Sequence, residues 1–507
     1  MKHYTGNGGS EEINMYQIPN IGKLNQMCGV EGGTKYYNLV KDIDGSYITN
    51  EDEGCKEALR WNSKSISDVV FIGTGISGSA NAPTIKNVIT QKGGLFDKVE
   101  NSRIGQINLE RFNIRSTKAD DSNTKDSIFG ILANKSINST ISDIYIEQPV
   151  DFLQAISSFG SKVENVKFGF VVGKVGNGKE DSSVISNCNV VLTKTSTVNV
   201  LEIPESERNW SIGGTIGVLA GGTATNLKLS DSELYIDFAE TDARSNKTYV
   251  VGGIVAEQTG GVITKSIFNS KLYAFTNEVN VWSGDLSKPI NLYVGGIVGK
   301  VEQGMNSYAV EECLTQQVSG ISAGNHYSFT TVYAGGISGH GGKILNCKNM
   351  ASVAAYAVYT YGSSYNSMTE RYLSNSYTET LEKASWGYKG WKNSDVDADT
   401  RNSSSKGYRY KMFNKGEPGI NLNSFTKILY AEIKQDAHAA GIANEYELIE
   451  NCLNTSKSIK GGTKSETLHS YYHPEKSNDE INKKIWNLNL KVVLMDAYLA
   501  LYAVGIK

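Results

Sequence analysis

Apolar and polar positions alternate along this chain in short bursts, and the bursts are broken by Gly, Asn and Ser. Tyr293 to Val301, Val310 to Val318 and Tyr327 to Tyr333 are three in succession. A period of two puts neighbouring side chains on opposite faces of a strand, and Gly and Asn favour the turns between. The bursts are tied to a recurring Gly-Gly-apolar-apolar-Gly phrase. It begins near Gly93-Gly94-Leu95-Phe96, then Phe129-Gly130-Ile131-Leu132 and Phe168-Gly169-Phe170-Val171. It continues at Gly213-Gly214, Gly252-Gly253, Gly295-Gly296 and Gly335-Gly336. With Gly94, Gly130, Gly169, Gly214, Gly253, Gly296 and Gly336 as markers, the steps are 36, 39, 45, 39, 43 and 40 residues.

A second phrase follows each marker: Ile185-Ser186-Asn187-Cys188, Ala224-Thr225-Asn226-Leu227, Val310-Glu311-Glu312-Cys313 and Ile344-Leu345-Asn346-Cys347. An eighth copy, Ala440-Gly441-Ile442-Ala443 with Ile449-Glu450-Asn451-Cys452, comes 105 residues after Gly336, so one repeat carries a long insertion. A unit of about forty residues with three strands cannot bury its apolar side alone, whereas stacked copies can. The pattern predicts an all-β chain, a parallel β-helix or solenoid of about eight repeats, right-handed by analogy with parallel crossovers. The paired glycines mark close backbone approach at a corner. The expected organisation is a cap with the first coils over 1–90, repeats over 91–350, an aromatic-rich insertion over 351–437, a final repeat over 438–460 and a C-terminal cap over 461–507.

Composition narrows the function. Lys and Arg number 50 against 53 Asp and Glu, a formal net charge of -3, and no run of basic residues occurs. That argues against a nucleic-acid partner held on a basic face. Gly at 52 with Pro at 7, and 28 Tyr, suits many short strands and tight turns. The longest apolar stretch, Val492 to Ile506, is interrupted by Asp496 and too short for a membrane span. No apolar leader opens the chain.

The repeat phrases resemble the GLUG motif of bacterial cell-surface and secreted proteins, which also occurs in the non-catalytic N-terminal region of IgA-cleaving metallopeptidases. Tyr36-Tyr37-Asn38-Leu39-Val40-Lys41-Asp42-Ile43-Asp44 and Phe71-Ile72-Gly73-Thr74-Gly75 with Thr84-Ile85-Lys86-Asn87-Val88 are similar to N-terminal phrases of such proteins. The resemblance covers roughly residues 30 to 350 and 438 to 460. It implies a solenoid and an extracellular or cell-surface location, with a leader outside this stretch. It implies no catalytic residue, because the motif carries none.

Candidate chemistry is sparse. A zinc peptidase needs two His at i and i+4 with Glu beside the first. Only His469 and His473 have that step, and Ser470, Tyr471 and Tyr472 fill it. Gly339-His340-Gly341 is similar to one glycosidase motif, but paired carboxylates are needed too, and Asp120-Asp121 lies far upstream. Asp395, Asp397 and Asp399 alternate as in a calcium loop, yet Thr400 and Lys406 stand where an EF-hand wants Gly and Glu. They offer a candidate calcium site, with a solvated acidic turn as the plain alternative. No other cofactor is expected. Cys188, Cys313, Cys347 and Cys452 fall at one repeat position and predict a buried column, in which Cys313→Ser leaves a hydroxyl in apolar surroundings. Cys28 and Cys55 lie outside the repeats and are candidates for a disulfide.

Residues 351 to 410 hold eleven Tyr and Trp among Ser and Asn, about twice the 9% aromatic content of the chain. Rings in such company suit recognition. Trp386, Tyr388, Trp391, Tyr361 and Tyr365 are the expected ligand-binding residues, packing on the solenoid flank being the alternative. The expectation is a non-enzymatic extracellular adhesin or fibre component that binds a glycan or a host or neighbouring-cell protein, with end-to-end self-association as an option. Two rival readings are a polysaccharide-active β-helix enzyme or metallopeptidase accessory region, and the receptor-binding fibre of a phage or injection particle.

Overall fold

The computed structural model describes residues 15–28, 33–45, 49–50, 55–58, 61–79, 81–90, 93–114, 125–149, 163–193, 200–203, 208–240, 247–278, 290–305, 307–326, 330–365, 368–375, 437–456, 458–461 and 468–469. Three ladders of parallel strands run along the stack. The first contains Asp126–Gly130, Asn165–Gly169, Asn209–Gly213, Thr248–Gly252, Ile290–Gly295, Thr330–Gly335, Ala437–Ala440 and Leu468–His469. The second runs from Lys64–Ser67 and Phe96–Glu100 through Ala133–Ile137, Val172–Val175, Ile216–Leu219, Val255–Gln258 and Val298–Val301 to Ser338–His340. The third holds longer strands, among them Arg103–Glu110, Thr140–Pro149, Lys228–Glu240 and Ile267–Glu278. Each coil visits the three in turn, so the parallel β-solenoid read from the repeats is the fold, with coils rising by about 4.8 Å. The two N-terminal phrases form consecutive coils, with Tyr37 beside Phe71 and Ile43 beside Ile85.

The core is one apolar column per inward row. Phe129, Phe168, Ile212, Val251, Val294 and Ala334 line one row, all nearly or wholly buried. A seven-residue helix, Ile21–Met27, closes the N-terminal end by burying Leu24 and Met27. Its first turn is capped by Asn20, whose side chain accepts from the Lys23 amide at 3.0 Å. Two hairpins depart from the parallel rule: 49–58, and 358–375, which follows the stretch where residues 352–358 still pair with the coil before.

Register corrects the marker alignment. Gly130 and Gly169 pair with Gly213, not Gly214, so Ile131 and Phe170 stand where later coils have the second glycine. In the four copies from Gly213 to Gly336 both glycines are demanded by space, while Ala440 takes the first place in the last copy. A Cβ on Gly253 would overlap the Gly296 carbonyl and the Phe268 ring, and one on Gly296 the Gly336 carbonyl.

The Asn-Cys phrase marks another corner. Gln106, Asp143, Asn187, Asn226, Lys265, Glu312, Asn346 and Asn451 all have φ between 51° and 58° there. Asn reaches this left-handed region more readily than most residues, which accounts for its recurrence. The next residue points inward and forms the expected buried column. Cys188, Leu227, Ser266, Cys313, Cys347 and Cys452 are each fully buried.

That column is stitched and not merely small and apolar. The Leu227 amide donates to Ser266 Oγ at 3.2 Å, the Ser266 amide to Cys313 Sγ at 3.4 Å, and the Cys313 and Cys347 amides to the next Sγ at 3.3 Å each. Each thiol in turn donates to a carbonyl two residues back. Ser266 shows that a hydroxyl is satisfied in this place, which overturns the expectation for Cys313→Ser. Serines repeat the device elsewhere: the Ser102 amide donates to Ser139 Oγ, and the Ser232 amide to Ser270 Oγ. Cys28 is a free thiol that donates to the Leu24 carbonyl, while the side chain of Cys55, its expected partner, lies outside the described residues. Burial pushes the Cys28 pKa to about 12.

Candidate functional site: the groove outside the glycine corner

The first two ladders meet at the Gly-Gly corner, and their outward side chains touch each other. Ser211 Oγ lies 3.3 Å from Glu257 Oε2, and the Tyr293 ring 4.7 Å from that of His340. Val250, Ala256 and Tyr293 form an apolar cluster separate from the main core, with Tyr333 packed on it. The outside of the corner is therefore concave, a groove running down the stack. The last Gly of the repeat phrase belongs to it. A Cβ on Gly299 would sit 2.7 Å from Val250 Cγ1, and one on Gly173 2.7 Å from Ile128 Cγ2.

Two rows line the groove. On the first ladder they are Ile128, Lys167, Ser211, Val250, Tyr293, Tyr333 and His438. On the second they are Lys98, Lys135, Lys174, Val218, Glu257, Lys300 and His340. The C-terminal half is filled by its own side chains. Tyr333 stacks between Tyr293 (5.0 Å, 21°) and His438 (4.9 Å, 14°), and Lys300 Nζ lies 5.4 Å from the Tyr293 ring centre. His340 is wedged against both tyrosines with 12% of its side chain exposed, and its Nδ1 is 3.6 Å from Glu445. That separation is beyond a hydrogen bond. Burial lowers the His340 pKa, Glu445 raises it and Lys300 lowers it further.

The N-terminal half is open. A cavity of about 550 Å³ lies there, with Lys98, Lys125, Asp126, Ile128, Lys135 and Lys174 in its wall. Lys98 pairs with Glu100 at 2.7 Å, Lys125 with Glu164 at 2.9 Å and Lys167 with Asp126 at 2.6 Å. Burial pushes the Asp126 carboxyl up, but the hydrogen bonds from Lys167 and Asn165 outweigh it and hold the group below its ordinary value. Lys135 and Lys174 form no ion pair among the described residues. Burial, then Lys167 and Lys135, depress the Lys174 pKa against an opposing pull from the Asp126 carboxylate.

The sequence-predicted binding residues are elsewhere. Tyr361 and Tyr365 stand on the hairpin strand opposite Tyr372 and Met368, while Trp386, Tyr388 and Trp391 lie outside the described residues. So do Asp395, Asp397, Asp399, Asp120, Asp121 and His473; His469 lies in the short last strand of the first ladder. Among the described residues no cluster of three or more His, Cys, Asp and Glu could hold a metal, and no helix is long and apolar enough to cross a membrane. The lysine row escaped sequence reading, although a signal existed. Lys98, Lys135 and Lys174 each follow their corner position by four residues, in Gly94, Ile131 and Phe170.

No family model matches the chain, and no curated protein matches it, so the GLUG resemblance gains no support there. Among solved structures, a chain described as IgA1 Protease is similar over 70% of this chain and 22% of that one, with 16% identity and a TM-score of 0.37. A structure provisionally named an immunoglobulin A1 protease from Bacteroides ovatus is similar over 64% of this chain and 79% of that one, with 17% identity and a TM-score of 0.34. The chain spans about a fifth of the first of these chains. At such scores the likeness carries no argument about activity or partner.

Proposed function

We propose that this chain is a rigid, non-catalytic extracellular solenoid, an adhesin or surface-fibre component, and that it engages its partner along the groove outside the glycine corner. The observation that carries the reading is the open half of that groove: a cavity of about 550 Å³ on a scaffold whose backbone is pinned coil to coil. Binding residues on a rigid frame lose little freedom on contact. The aromatic insertion, with Trp386, Tyr388 and Trp391, is proposed as a second contact region, for Tyr and Trp rings offer area at low entropic cost.

The test is an array of glycans and host proteins probed with wild type and with Ile128→Trp, whose indole would fill the opening. Loss of a ligand in the variant, at unchanged melting temperature, supports the groove. Ligands bound equally by both refute it. A Trp386→Ala/Trp391→Ala double variant tests the insertion in the same way.

A further inference from the structure

The open half of the groove has a linear pattern of charge. Lys98, Lys135 and Lys174 are neighbours on successive coils, in register on the outward side of the second ladder. They present one ammonium per coil, at intervals of about 4.8 Å along the stack. A compact anion needs converging donors; a single file of cations fits a linear partner with repeating negative charge. Lys135 and Lys174 lack an ion pair among the described residues, and Lys174 is partly desolvated beside Lys167 and Lys135. Asp126, already bonded to Lys167, offsets part of the repulsion among these ammoniums, and an anion between them relieves the rest.

Resting on the functional reading above, we propose that this half of the groove binds an acidic polysaccharide, its carboxylates or sulfates lying along Lys98, Lys135 and Lys174. A pyranose ring is about as long as one coil rise, so charges on successive or alternate rings can meet the lysines in register. The wall between the lysines is Ile128, Ile137, Gly176 and Asn177, with no aromatic ring among the lining residues on which a base would stack. That favours a glycan over a single-stranded nucleic acid. Of the carboxylates in and beside the recess, Glu100 pairs with Lys98, Glu164 with Lys125 and Asp126 with Lys167; Asp126 also attracts Lys174, and Lys135 is left available.

The experiment titrates the full chain with polygalacturonate, dextran sulfate, uncharged dextran and a single-stranded oligonucleotide, at low and high salt. Polygalacturonate or dextran sulfate should bind at low salt and weaken as salt rises. The tighter of the two identifies carboxylate or sulfate as the recognised group. Lys135→Gln/Lys174→Gln should lose at least tenfold in affinity, Lys135→Gln alone a smaller share, and Lys271→Gln on the third ladder nothing. Lys135 is exposed, so its single variant tests the site even where the double variant melts early. Absence of polyanion binding at low salt, affinity unchanged in both groove variants, or tighter binding of the oligonucleotide overturns the proposal. If the polyanions fail while Ile128→Trp still abolishes another ligand, the charge assignment falls and the functional reading stands. If Ile128→Trp abolishes nothing, the functional reading falls as well.

Discussion

Lys174 and His340 occupy the same row of the second ladder, four coils apart, and Lys167 and Tyr333 the same row of the first. The backbone beneath them repeats, yet one end of the groove is an open basic recess and the other is filled by stacked rings. The contrast separates two kinds of position. Inward rows and corners obey the repeat, because every coil must bury apolar surface and turn in the same place. Outward rows of the concave side are held by no such demand. They change from Lys to Val, Glu, Lys and His without disturbing a strand pair.

The sharpest way to break this comparison is at the corner both ends share. Gly296→Val should cost at least about 3 kcal/mol, since its side chain has no room beside the Gly336 carbonyl. Chemical denaturation measures this, and unchanged stability would remove the close approach on which the groove depends. Next in size is Tyr333→Ala, which removes the ring between Tyr293 and His438. About 2 kcal/mol should be lost, and a cavity like that at the lysine end should open at the closed end. A crystal structure of the variant would reveal it.

The inward column gives a smaller effect. Cys347→Ala leaves the Cys313 amide without its partner and should cost about 1–2 kcal/mol, while Cys347→Ser keeps the bond and should cost less. Equal losses in urea would mean that the stitch contributes nothing. The pH response is smaller still. His340 has a folded-state pKa below its unfolded value, so between the two the unfolded chain binds more protons. Its contribution is complete above about pH 6.5 and falls as pH drops below it, levelling off under the folded pKa. Melting between pH 8 and pH 5 should decline more in wild type than in His340→Gln; identical slopes would place the histidine in solvent. Least of all, Lys265→Asn should gain about 0.5 kcal/mol by giving a residue at φ 52° a side chain suited to it.

Much of the scaffold was legible because its signals are local and repeated. Gly-Gly spacing located the corners, and the Asn-Cys phrase located the inward column. Ile131 and Phe170 blurred the register, since a bulky residue in a glycine's place breaks the phrase but not the coil. The helix Ile21–Met27 occurs once and is short, so no period announces it. The candidate site was least legible. Its lysines are 37 and 39 residues apart, invisible as a run, and a net charge of -3 averages them away. Only the stacking of coils turns that spacing into a neighbourhood.

The stitches between coils also give the stack a sense of time. From Leu227 onward, four inward-corner amides find their partners on the coil that comes later in the chain: Leu227 on Ser266, Ser266 on Cys313, Cys313 on Cys347 and Cys347 on Cys452. In a chain synthesised from its N-terminus, each of these four coils holds a donor that the following coil answers, much as a zip offers each tooth to the next.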